Sequence, residues 1–137
     1  METAVMAGSP FLVLVAWSAL LLLIHIGLQG LTVTQEFGPE WNAGPRDGDK
    51  KPTGKLAGRA DRALRNFLET YAAFVGLALG LAIAGSDGGL GLTGAWVWFV
   101  CRIVYIPLYL AGIPYIRSLV WLGSLAGLAM MFATLAF

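Results

Sequence analysis

The sequence predicts an all-α integral membrane protein, a four-transmembrane-helix bundle, and three observations carry that prediction. The 137-residue chain is 58% hydrophobic and only 12% charged, with a mean hydropathy of +0.74, a composition that ordinary soluble domains of this size do not show. Four apolar runs suit bilayer-crossing helices, and breaks rich in glycine or proline separate them. The charge is segregated: seven of the nine basic residues, Arg46, Lys50, Lys51, Lys55, Arg59, Arg62 and Arg65, fall in one twenty-residue window, leaving only Arg102 and Arg117 elsewhere. Residues 1–137 are read as a single membrane domain.

The first helix is expected over residues 9–31. Ser9 is a candidate N-cap, Pro10 suits a first helical position, and Pro10 to Leu28 has spanning length. No basic n-region or clear small-residue cleavage site precedes it, so the span is expected to be retained. His25 and Gln29 stand at i, i+4 and are read as a polar pair satisfied by water or a neighbouring helix rather than as ligands. Residues 32–56 are expected to form a loop, punctuated by Gly38-Pro39, Gly44-Pro45, Asp47-Gly48 and Pro52-Thr53-Gly54. A loop of that length is either a hydrated connector or a cover over a site at the membrane surface.

The second helix, expected over 57–84, begins before the membrane and carries Gly76, Gly80 and Ala84 at four-residue spacing, a stripe that permits close helix approach. The turn Gly85-Ser86-Asp87-Gly88-Gly89 holds no lysine or arginine. The third helix is expected over 92–112, with Thr93 as a candidate cap and Trp96 and Trp98 in an interfacial aromatic belt. Pro107 is expected to kink it or open its hydrogen bonding. Gly112-Ile113-Pro114 then breaks the chain before a fourth helix over 115–136, which carries a second small-residue repeat at Gly123 and Gly127. The positive-inside rule makes the basic first loop cytoplasmic and puts both termini on the opposite side. Cys101 stands alone, so there is neither an internal disulfide nor a cysteine metal site, and it is read as a packing residue.

On the second helix Arg62, Arg65, Asn66 and Glu69 recur at i, i+3, i+4 and i+7, which puts them on one face. Arg102, Tyr105 and Tyr109 share a face of the third helix, and Arg117 and Ser118 open the fourth. The topology turns all three groups toward the cytoplasmic end, with Arg102 roughly 15 Å deeper at helical rise. An ionisable side chain at membrane depth costs roughly 2.5–3.5 kcal/mol on insertion scales, so such a cluster persists only if paired, hydrated or bound to something. One reading has Glu69 and the arginines neutralise one another and lock the bundle. The other binds a small zwitterionic, multiply anionic ligand through the arginine surplus, and the excess of arginine favours it. A thiol ligand would gain chemistry there: lowering a thiol pKa of ~8.5 by ~2 units requires about 2.7 kcal/mol of preferential thiolate stabilisation. Arg117, with Ser118 or Tyr109, is the candidate source. Asp47, Asp49 and Asp61 dilute the basic window, which argues against a nucleic-acid partner. The chemistry requires no metal.

At these residues the sequence resembles the MAPEG family, the membrane-associated proteins in eicosanoid and glutathione metabolism. Arg59 to Thr70, R-A-D-R-A-L-R-N-F-L-E-T, is similar to the family's second-helix motif R-A-x-x-N-x-x-E. Arg102 to Trp121, R-I-V-Y-I-P-L-Y-L-A-G-I-P-Y-I-R-S-L-V-W, resembles its third and fourth helices, especially those of a bacterial branch. The resemblance implies a homotrimer of four-helix subunits, in a bacterial inner membrane, with glutathione as co-substrate bound between neighbouring subunits near the cytoplasmic side. By position, Arg62, Arg65, Asn66 and Glu69 match the second-helix glutathione motif, Arg102 and Tyr109 the third-helix pair, and Arg117 and Ser118 the thiol-side pair. Trp121 stands where several eukaryotic members have tyrosine, Gln29 where a basic residue is common, and Leu64 where histidine is frequent. The implied activity is that of a glutathione-dependent transferase or peroxidase acting on lipophilic electrophiles that arrive from the lipid bilayer. The alternative is a non-catalytic membrane protein that binds an anionic lipid or a partner protein through the same cluster. A transporter reading finds no internal repeat to support it.

Overall fold

Ser9 and Pro10 open the first helix as their chemistry dictates: the Ser9 hydroxyl accepts from the Phe11 amide at 3.3 Å, and Pro10 occupies the first turn. The structure, a computed structural model that describes residues 8–48 and 51–137, contains helices α1 (Pro10–Phe37), α2 (Pro39–Ala43), α3 (Lys55–Ile83), α4 (Gly89–Leu110) and α5 (Tyr115–Ala136). Asp49 and Lys50 of the basic window lie outside the described residues. Helices α1, α3, α4 and α5 are each long and apolar enough to cross a membrane.

The stretch expected as a loop over 32–56 is partly helical, which corrects that expectation. The Thr32 hydroxyl donates to the carbonyls of Leu28 at 2.7 Å and Gln29 at 3.1 Å, and Thr34 donates to Gly30 at 2.7 Å. These back-bonds satisfy the threonine hydroxyls within the helix, so α1 continues to Phe37. Gly38, at φ 89°, ends it, and Pro39 starts α2. The remaining connector is anchored by Glu36, whose carboxylate accepts from the Thr53 amide at 2.7 Å, the Gly54 amide at 2.9 Å and the Thr53 hydroxyl. Gly54 is the N-cap of α3 and has no side chain to offer. Glu36 therefore supplies an acceptor there from the end of α1.

Helix α4 packs most extensively on α5, and α1 on α3. Phe11, Leu14 and Leu21 of α1, Phe67, Phe74 and Leu81 of α3, Trp98 of α4 and Met131 of α5 form the core. Trp98 is fully buried and stacks on Phe74 with ring centroids 3.8 Å apart. It is thus a core residue and not part of an interfacial belt; Trp96, two positions away and on a different face, is half exposed. The Gly123/Gly127 repeat works inside the chain. A Cβ on Gly127 would lie 2.5 Å from the Gly94 carbonyl oxygen, and one on Gly94 as close to the Gly127 carbonyl. Cys101 packs its sulfur against Gly123. Gly80 faces Leu135, whereas Gly76 faces open space. Helix α4 runs through Pro107 and ends one turn later, so the missing amide costs a bond only near the helix end. Ser18 and Tyr71 join α1 to α3 at 2.9 Å. Ser18 gives its hydrogen to the Val15 carbonyl at 2.7 Å, which makes Tyr71 the donor in that bond.

Candidate functional site

The polar face of α3 meets the ends of α4 and α5 at a cleft of about 430 Å³. Arg62, Arg65, Asn66 and Glu69 line it from α3, Tyr105 and Tyr109 from α4, and Arg117, Ser118 and Trp121 from α5. Helical periodicity explains the α3 contribution directly. The opposite stripe of the same turns, with Ala60, Ala63 and Phe67, is buried in the bundle and leaves the charged stripe facing out. Eight of the nine residues expected at the site come together here.

Arg102 stands apart. It does not line the cleft but lies behind it, fully buried, with its guanidinium 4.4 Å from the Tyr105 ring centroid and 5.4 Å from that of Phe67. Its Nη1 donates to Asn66 Oδ1 at 2.8 Å, while Nε and Nη2 find no hydrogen-bond partner. The depth that separates it from Arg117 lets the aromatic rings cover it. Its reach to the cleft runs through Asn66, whose side chain it orients.

The charge in the cleft is unbalanced. Arg62, Arg65 and Arg117 face the single carboxylate of Glu69, which makes no ion pair among the described residues. The one salt bridge among the described residues joins Arg65 to Asp61 at 3.2 Å, on successive turns of α3. The Arg65 side chain is 67% exposed, so this pair contributes little stability. Among the described residues, then, no ion pair joins Glu69 to the cleft arginines. Arg117 lies 4.7 Å over the Tyr109 ring, a contact that orients the guanidinium without cancelling its charge. Ser118 offers an exposed hydroxyl beside it. Together these groups can hold a ligand with several anionic groups.

Three residues outside the expected site set also take part. Trp121 is half buried at the cleft wall, and its Nε1 is a buried donor without a partner. Its i+4 spacing from Arg117 was the available signal. Asp61 supplies the partner of Arg65. Arg59, which belongs to the basic window and opens the motif segment, donates from Nη1 to the Leu110 carbonyl at 3.1 Å and lies against Gly112. It ties the start of α3 to the break that aims Arg117 and Ser118, and only the three-dimensional structure reveals that partner. His25 is buried against Phe67 with ring centroids 4.8 Å apart, away from the cleft lining, and its Nε2 has no partner.

The sequence profile of the MAPEG family matches residues 14–137, nearly the whole chain. No curated protein and no solved structure matches it.

Proposed function

Since the chain belongs to the MAPEG family, we propose that it is a glutathione-dependent membrane transferase or peroxidase that acts on lipophilic electrophiles. The observation that carries this reading is the surplus of arginine over carboxylate in one cleft at the end of the bundle. Glutathione brings two carboxylates, an ammonium and a thiol. Arg62 and Arg65 pair with its carboxylates, Glu69 takes the ammonium, and Asn66, held by Arg102, and Tyr105 supply directional hydrogen bonds. Arg117 and Ser118, with Tyr109 beneath the guanidinium, stabilise the thiolate. Trp121 offers an indole N–H at the same wall.

In conjugation the thiolate attacks an electrophilic carbon. A sulfur–carbon bond forms, and the displaced electron pair leaves with the leaving group or, in conjugate addition, is protonated. As a peroxidase, two glutathione molecules become one disulfide while a hydroperoxide is reduced to an alcohol and water. Proximity and a pre-formed thiolate suffice for either reaction. Three copies assemble in a bacterial inner membrane, with the connector between α1 and α3 on the cytoplasmic side and glutathione between neighbouring subunits.

The test is ultraviolet difference spectroscopy of purified, detergent-solubilised protein titrated with glutathione. The expected result is a saturable thiolate band, absent with S-methylglutathione and lost in Arg117→Ala. Loss of ~2 pKa units of stabilisation would leave the bound thiol mostly protonated at neutral pH. Saturable binding by folded wild-type protein without the band would instead support a non-catalytic anion-binding role for the cleft.

A further inference from the structure

A second recess, of about 190 Å³, opens between the end of α1, the short helix α2, the connector and the first turns of α3. Arg46 and Lys51 from the connector and Arg65 from α3 line it, with Asp61 as the only carboxylate among the lining residues. Three cations against one anion leave two net positive charges. The proposed glutathione chemistry uses neither Arg46, Lys51 nor Trp41, which also lines the recess.

Three further observations fall at this place. Arg46, at φ 57°, is the one non-glycine residue with positive φ among those described, a conformation that residues other than glycine disfavour. Its side chain is held in position: Nε donates to the Asn42 carbonyl at 2.9 Å, Nη2 donates to Asn42 Oδ1, and the guanidinium lies 5.6 Å over the Trp41 ring. Asn42 donates in turn to the Thr34 hydroxyl at 2.8 Å, which fixes the arrangement to α1. Finally, Trp41 Nε1 is buried without a hydrogen-bond partner. A strained but braced arginine, an unpaired indole donor and excess positive charge share one explanation, an oxyanion that accepts from all of them.

We infer that this recess binds a phosphate group, held by Arg46, Lys51 and the indole N–H of Trp41. A tetrahedral phosphate accepts from several directions at once and carries one to two negative charges, which matches both the spread of the donors and the net charge of the recess. The phosphate is either that of an anionic lipid headgroup, since the recess adjoins the end of a spanning helix, or that of a soluble phosphate.

The full chain, purified in detergent, is titrated with inorganic phosphate while its thermal unfolding is followed. A saturable rise in melting temperature is expected. Arg46→Gln should weaken apparent phosphate affinity roughly tenfold. Trp41→Phe, which keeps a ring but removes the donor, should weaken it about threefold. Lys51→Gln alters an exposed side chain that makes no hydrogen bond or ion pair among the described residues, so it reports on binding without endangering the fold. Saturating S-methylglutathione, which fills the cleft, should leave phosphate affinity in the recess unchanged and so separates the two sites. Nanodiscs of phosphatidylcholine with or without phosphatidylglycerol separate the sources. Phosphatidylglycerol retained through delipidation, and lost in Arg46→Gln, assigns a lipid phosphate; phosphate binding without such retention assigns a soluble one. The proposal is overturned if neither ligand binds, or if binding survives Arg46→Gln and Lys51→Gln in folded protein.

Discussion

Asn66 is the residue on which the buried and exposed halves of the cleft depend. Among the described residues it is the one hydrogen-bond acceptor that reaches the Arg102 guanidinium, and it also lines the cleft. Replacing it with alanine leaves a fully buried cation without an acceptor, so Asn66→Ala is expected to destabilise the chain by about 1–3 kcal/mol. Asn66→Asp keeps an acceptor at the same distance and should recover that stability. Denaturant titration in detergent micelles checks both, and equal stability of Asn66→Ala and the parent would show that water already satisfies Arg102. The i, i+3, i+4, i+7 spacing made the polar face of α3 legible in the sequence, because it is a property of one helix. The Arg102–Asn66 bond was not, because it joins side chains from two helices whose rotation is set by Phe67, Tyr105 and Trp98 packing around them.

Among the helices, the contact of α4 with α5 is set by the absence of side chains. At Gly94 and Gly127 a Cβ would meet the facing carbonyl oxygen at 2.5 Å, and a backbone atom cannot move aside as a flexible side chain can. Gly127→Leu should therefore separate the two helices and cost at least ~3 kcal/mol, read as loss of a cooperative unfolding transition. An unchanged transition would mean that the crossing can shift without penalty. The break between α4 and α5 is equally exacting. Gly112 sits at φ 73°, and a Cβ there would lie 2.5 Å from Arg59 Nη2, so Gly112→Ala combines a left-handed strain of ~1–2 kcal/mol with displacement of the Arg59 clamp. It should lower both stability and glutathione affinity, whereas Arg59→Gln should lower affinity with a smaller loss of stability. If Gly112→Ala binds glutathione as the parent does, the clamp does not position Arg117. Hydropathy and turn residues made the spans legible, and Gly112-Ile113-Pro114 marked this break. The extension of α1 to Phe37 was hidden because the Thr-Val-Thr run at 32–34 has weak helix propensity on its own, and the back-bonds that carry it through form only once the helix is there.

No more than a third of each spanning helix's most apolar window is buried inside the chain. Trp17, Leu23, Ile83, Leu119 and Phe132 are each more than half exposed, and such surface meets either lipid or another copy. Hydropathy made the membrane legible but could not divide this surface between the two, since lipid-facing and protein-facing positions are alike apolar. Small residues are what distinguish a close helix contact, and of the two repeats read from the sequence one is consumed inside the chain at Gly127. In the other, Gly76 meets nothing within 4 Å, whereas Gly80, one turn on, is occupied by Leu135. The free surface around Gly76 is therefore where a neighbouring helix could approach closely. Gly76→Leu should leave a folded chain with its unfolding transition intact, yet shift native mass spectra in mild detergent from the proposed three-chain species toward single chains. If glutathione lies between subunits, the thiolate band should fall in proportion to the three-chain fraction. A single-chain species that retains the band would place the site within one bundle, and an unchanged three-chain mass would move the interface away from Gly76.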